Sequence, residues 1–259
     1  MHYKKVNILK KSTVAIALMA ATAGSAYAFT DATGGAWSGS LDFDGTISNT
    51  NPLWEFEVPP DTVILTTDMT LYVSEGVVNG ENTEFALPTL DDAVLFHGNI
   101  KGRLPVGGPG MVPDIMFNGE SVLKDTIEGE HTMTVSIAAS DGGDEVGTVQ
   151  LHLTYGGAAA FNWHDDGSSW VYNDTDTNPT AAAAAYILMV AQPDYSTYHP
   201  SPTIGTQYGI TDMDGALREQ STNQFHARAI VSESAVVSFP SANIPSTWSA
   251  SLPITVTVQ

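Results

Sequence analysis

The chain has 259 residues, no cysteine and a formal charge of −20, with 29 acidic against 9 basic residues. Taking off the four lysines of residues 1–28 leaves five basic and 29 acidic residues, a net −24. That balance repels phosphate backbones and anionic membrane surfaces, and the missing cysteines exclude disulfide staples, a thiol nucleophile and a thiolate metal site.

In chain order, residues 1–28 read as a removable secretion signal. Lys4, Lys5, Lys10 and Lys11 precede a short apolar run from Val14 to Ala23, and Ala26-Tyr27-Ala28 is a small-x-small cleavage signal. The next segment is extended. Trp37, Gly39, Leu41, Phe43, Gly45 and Ile47 alternate with Ser38, Ser40, Asp42, Asp44 and Thr46, so residues 29–48 predict one apolar and one wet face. Such a strand either pairs within its own domain or is lent to a neighbour.

Strand signals dominate residues 53–155. Leu53 to Val58 is short, apolar-rich and stopped by Pro59-Pro60, and Val63-Ile64-Leu65 and Leu71-Tyr72-Val73 are rich in β-formers. Asn79-Gly80 and Asn118-Gly119 are hairpin signals. Met133, Val135 and Ile137 alternate with polar partners, Asp141-Gly142-Gly143-Asp144 turns, and Val149, Leu151, Leu153 and Tyr155 alternate back. This is a hairpin with one buried face, and His152 falls on its wet side.

Residues 156–225 lack alternation and read as an inserted, partly helical region. Asn178-Pro179-Thr180 opens a helix over Ala181 to Val190 that stops before Pro193, and Asp214 to Gln220 has room for a second short one. Strands resume at Ala227 to Val231 and Ala235 to Phe239. In the last segment Trp248, Ala250, Leu252, Ile254, Val256 and Val258 form a second apolar stripe. Pro253 within it marks a strand that is an edge on at least one side, which invites pairing unless something covers it. The expected architecture is an all-β sandwich of residues 49–259 with an insertion at about 156–225.

The chain resembles the fimbrial subunits assembled by the chaperone–usher pathway, and within them the Fae-type lineage. Trp37-Ser38-Gly39-Ser40-Leu41-Asp42-Phe43 with Gly45 and Ile47 carries the resemblance, with Trp54-Glu55-Phe56 and Pro113-Asp114-Ile115. So do Asp144-Glu145-Val146-Gly147-Thr148-Val149, Thr154-Tyr155-Gly156-Gly157 and Ser246-Thr247-Trp248-Ser249-Ala250-Ser251-Leu252. The resemblance implies an incomplete immunoglobulin-like sandwich, filled first by a periplasmic chaperone and then, at an outer-membrane usher, by the N-terminal extension of the next subunit. Trp37, Gly39, Leu41, Phe43, Gly45 and Ile47 would then be the inserting face. Trp248, Leu252, Ile254, Val256 and Val258 would flank the groove and meet the chaperone. The ending Thr257-Val258-Gln259 departs from the aromatic residue that many such subunits carry there. Export through the periplasm to a surface fimbrium is implied by the same resemblance.

Trp163, His164, Asp165, Asp166, Trp170 and Tyr172 combine carboxylates with aromatic faces, the groups a sugar site uses. The resemblance places host-glycan binding in this inserted region. The alternative to a fibre subunit is a self-contained secreted carbohydrate-binding β-sandwich, which would stay a stable monomer without residues 29–48. No catalytic constellation emerges. The sequence lacks a Gly-x-Ser-x-Gly elbow, and His97, His131, His152, His164, His199 and His226 lack metal-ligand spacing. Asp212-x-Asp214-Gly215 lacks the remaining ligands of a calcium loop. The expectation is a non-enzymatic protein without metal or cofactor.

Overall fold

The computed structural model describes residues 30–32, 36–40, 54–67, 69–108, 111–122, 132–163, 167–173, 179–205, 213–215, 217 and 221–258. The signal segment 1–28 lies outside them. The strands are β1 (Thr30–Ala32), β2 (Ala36–Ser40), β3 (Trp54–Glu57), β4 (Val77–Asn79), β5 (Asn82–Ala86), β6 (Ala93–Ile100), β7 (Leu104–Val106), β8 (Pro113–Phe117) and β9 (Glu120–Ser121). They continue with β10 (Thr132–Asp141), β11 (Asp144–Asn162), β12 (Ser169–Asn173), β13 (Thr203–Gly205), β14 (Thr222–Pro240), β15 (Ser249–Ala250) and β16 (Pro253–Val258). Three α-helices, α1 (Pro60–Thr66), α2 (Pro179–Val190) and α3 (Tyr195–Tyr198), and two 3₁₀ turns, Val73–Glu75 and Pro88–Leu90, accompany them.

Two curled, almost wholly antiparallel sheets make the all-β, immunoglobulin-like sandwich. The larger has the path β1-β3-β6-β14-β11-β10-β15, and the smaller has the order β2-β16-β8-β9. Their facing sides form one core. Trp54, Phe56, Phe96 and Phe117 are fully buried in it. The first three stack at 5.6 Å centroid spacings, and Phe117 meets Phe96 edge-on. Trp54 also donates its indole N–H to the Met111 carbonyl at 2.7 Å.

The hairpin of β10 and β11 is as the alternation predicts. Val135, Ile137 and Ala139 are buried opposite Leu151, Val149 and Gly147, while His152 is exposed and lies 2.9 Å from the Thr134 hydroxyl. Its turn uses Gly142 and Gly143, both at positive φ (61° and 101°). Asn118 and Gly119 turn β8 into β9 in the same left-handed region, at φ 50° and 82°.

Two β-rich triplets are not strands. Val63-Ile64-Leu65 lies in α1, because Pro60 sits at its first turn with Asp61 beside it, a helix start that outweighs three β-formers. The buried Thr62 hydroxyl donates to the Val94 carbonyl and ties α1 to β6. Leu71-Tyr72-Val73 runs into a single 3₁₀ turn, where the Glu75 carboxylate accepts the Tyr72 N–H at 3.4 Å.

Residues 156–162 and 222–225 belong to strands of the large sheet. Strands β11 and β14 each run 19 residues, and they stay paired from Thr148↔Ser238 to Asn162↔Thr222. The two predicted strands at 227–231 and 235–239 are one. Alternation is lost here because both faces are covered. On one face α2 lays Ala185 and Met189 against Ala158, Ala160, Ala227 and Ala229, and its start, Ala181 and Ala182, over Gly156. On the other, Phe161 and Tyr172 pack with Met213. A strand buried on both sides shows a continuous apolar run, not a period of two. The expected helix is present as α2, beginning at Pro179 and ending before Pro193. Residues 213–215 and Leu217 are also helical.

Candidate functional site

The C-terminal strand is built as its stripe predicts. Leu252, Ile254 and Val256 are wholly buried, Val258 is half-buried, and half-buried Trp248 meets Phe239 at 6.1 Å. Strand β16 pairs on one side with β8, Ile254↔Phe117 through Val258↔Pro113. On the other side lies β2, antiparallel, with Ser40↔Pro253, Gly39↔Ile254, Ser38↔Thr255, Trp37↔Val256 and Ala36↔Thr257. Strand β16 is therefore not an edge. Pro253 is its first residue, where a missing N–H costs least, and the segment near the N-terminus covers its free side.

Positions 37 and 39 of the predicted inserting face thus stand in register with the buried positions 256 and 254. Leu41, Phe43, Gly45 and Ile47 lie outside the described residues. Just before β2, β1 pairs with β3 on the large sheet, Thr30↔Phe56 and Ala32↔Trp54. Within eleven residues the segment 30–40 thus adds a strand to each of the two sheets.

The aromatic cluster is partly assembled. Trp163 and Trp170 are half-buried and Tyr172 is buried. Phe161 lies 5.9 Å from Trp163 and 5.0 Å from Tyr172, and Trp170 lies 6.2 Å from Tyr172. The Trp170 indole donates to Ser168 Oγ at 2.7 Å. His164, Asp165 and Asp166 lie outside the described residues.

A family profile of the K88 type, described as fimbrial, major and minor subunit, matches residues 9–259. The chain belongs to this family of fimbrial subunits. No curated protein matches it.

The fimbrial subunit holds one polar network that sequence reasoning missed. Arg228, fully buried in β14, donates to Asp214 Oδ1 at 2.6 Å and to the Ala227 carbonyl at 3.0 Å, and sits 5.7 Å from the Trp54 ring. Burial acts against its charge, while Tyr155 and Asp214 hold it. Burial pushes the Tyr155 phenol far above its usual range. The signal was present: an arginine inside the small-residue, apolar stretch Phe225–Ile230 of a central strand needs an acidic partner. Asp214 of the incomplete calcium pattern supplies it, and among the described residues no group of three metal-ligating side chains occurs.

Next to it His226 is wholly buried. Desolvation, aided by the Arg228 charge, holds its pKa well below 6.5. Burial also lowers His199, partly offset by its bond to the Asn223 carbonyl. The fold favours the neutral form of both, so in mildly acid solution the unfolded chain binds more protons than the folded one. Their contribution to stability is complete above the unfolded value of about 6.5 and is lost as pH falls below it. The expected result is a melting temperature that drops between about pH 6.5 and 5, before most carboxylates titrate. Thermal scans of the wild type beside His226→Gln test this, the variant showing the shallower slope.

Proposed function

We propose that this fimbrial subunit polymerises by donor-strand exchange. Residues 29–48 leave for the neighbouring subunit and β16 is the strand they pair with, after export through the periplasm with a chaperone and an outer-membrane usher. The observation that carries this is the β2–β16 register: an alternating segment near the N-terminus adds antiparallel to the apolar C-terminal strand. Backbone ladders give such an addition its affinity, and alternate side chains its specificity. Nothing in the pairing requires donor and acceptor to share a chain.

Three purified forms test it: residues 29–259, residues 49–259, and residues 49–259 with 29–48 appended after Gln259 on a short linker. The antiparallel direction is what allows a short linker, since Val258 and Ala36 lie at the same end of the pair. The truncated form is expected to aggregate, the appended form to be a stable monomer, and the 29–259 form to assemble. A stable, monomeric 49–259 refutes the proposal.

An adhesin role for the same subunit is supported by Trp163 and Trp170, which keep part of their surface in solvent on the inserted region. Half-exposed indoles offer the flat apolar face that a sugar ring's C–H side packs on.

A further inference from the structure

Strand β4 hangs at the margin of the large sheet with its side chains in solvent. Among the described residues it pairs only with β5. Its Val77 and Val78, with Tyr72 and Val73 just before them, are 61–69% exposed. Successive strand residues point to opposite faces, so the two valines leave both faces of β4 apolar. Such a cluster on a soluble subunit marks a surface that another molecule covers. Exposed Glu75 and Glu81 border it with negative charge.

The far end of the same flank carries the opposite sign. Strands β5, β6 and β7 follow one another along one side of β14, at Val236–Pro240, Ala227–Ser232 and Thr222–Gln224. Lys101 and Arg103, the exposed cations among the described residues, lie in the turn between β6 and β7. Arg103 is already ordered: its guanidinium stacks over Tyr198 at 4.5 Å, and Nη1 donates to Asn223 Oδ1 at 2.8 Å. Val106 beyond it is 47% exposed. At about 3.3 Å per residue, Asn223 and Pro240 stand roughly 50 Å apart along β14, too far for the two ends of one subunit to meet.

Strand exchange between copies brings the two ends together. Ser40 of β2 lies at Pro253 of β16. Just before Pro253, Ala250 pairs with Ala139, which pairs with Gly147, and the next residue of β11 is level with Ser238 and Glu84. A donor chain therefore leaves β16 at the β4–β5 end of its acceptor. The donor's own sheet resumes at Trp54, which pairs with Ile100, the residue before Lys101. The donor thus turns its β6–β7 end toward the acceptor's β4–β5 end.

We infer that the β4–β5 hairpin of one subunit docks on the β6–β7 turn of the next copy, Val77 and Val78 meeting Val106 and Glu81 facing Arg103. The inference rests on the exchange reading above and adds a second contact to it. A two-fold contact between two β4 strands would set Glu75 and Glu81 beside their own copies. The head-to-tail contact joins unlike charges and repeats without closing, as a fibre requires.

The chain has no cysteine, so introduced thiols report neighbours without interference. The 29–259 protein carrying Glu81→Cys and Arg103→Cys is assembled and treated with a short bis-maleimide. A ladder of covalent multimers is expected on a denaturing gel, with each single-cysteine variant staying monomeric. Arg103→Glu is expected to slow assembly about fivefold at low salt, the range of one exposed charge pair, and adding Glu81→Arg restores the rate. Fibres that form without a ladder overturn the inference and leave strand exchange standing. Multimers from Glu81→Cys alone reveal the two-fold contact and overturn it as well. A stable, monomeric 49–259 form overturns both readings.

Discussion

Asp214→Ala is expected to destabilise the subunit by about 3–5 kcal/mol, the range for breaking a buried ion pair from one side. Arg228 is fully buried and cannot reach water when Asp214 is removed. Its remaining partners are the Ala227 carbonyl and the Tyr155 phenol, and its Nε has none even in the intact protein. The variant keeps a cation in the core without its counter-charge. It also removes the charged tie between Asp214 and β14, while Met213 and Leu217 stay packed in the core. Denaturant midpoints at neutral pH check the magnitude. The double change Asp214→Leu with Arg228→Met removes both charges and should recover most of the loss. A double variant as unstable as the single would show that packing around 213–217, not the uncompensated charge, sets the cost.

Gly156→Ala should cost about 3 kcal/mol, the upper part of the range for overpacking a core. A methyl at this position would lie 2.4 Å from the Ala182 nitrogen and 2.6 Å from the Ala181 carbonyl carbon. Both are main-chain atoms of α2, so no side chain can swing away and the whole helix must lift. Lifting it opens the contact with Ala158, Ala160, Ala227 and Ala229 along its length. Gly215→Ala is the control, since open space surrounds a methyl there and its backbone is not left-handed. Parallel thermal melts are expected to place the first variant well below the wild type and the second beside it.

The parts of the fold legible in the sequence are those with one wet face. The hairpin of β10 and β11 and the terminal strand β16 each bury alternate residues, and the period of two is the direct trace of that. The turn at Asn118-Gly119 and helix α2 are legible from residues whose backbone preferences leave little choice. The continuation of β11 through Gly156 to Asn162 is not, because α2 and the Phe161–Tyr172–Met213 cluster cover opposite faces and erase the alternation. Helix α1 is hidden behind Val63, Ile64 and Leu65, which favour strands, whereas Pro60 and Asp61 decide the backbone. The apolar stripe of β16 is visible in the sequence as a face that buries Leu252, Ile254 and Val256. The partnership of Asp214 with Arg228 is not, because it joins residues brought together only by the sheet. Arg103 and Tyr198 meet for the same reason, across 95 positions.

The long pairing of β11 with β14 has a mechanical consequence. At about 3.3 Å per residue each strand reaches roughly 60 Å, and the ladder between them continues through two register shifts. The insertion hangs from the end of one strand and the start of the other, at the same end of the ladder. A tug on it pulls both strands in one direction and does not slide them past each other or peel them apart. The load passes instead to the flanking strands β6 and β10, which would have to shear along their whole contact before anything gave way. In a chain without cysteine, and so without a disulfide, that arrangement lets hydrogen bonds resist tension together rather than one at a time.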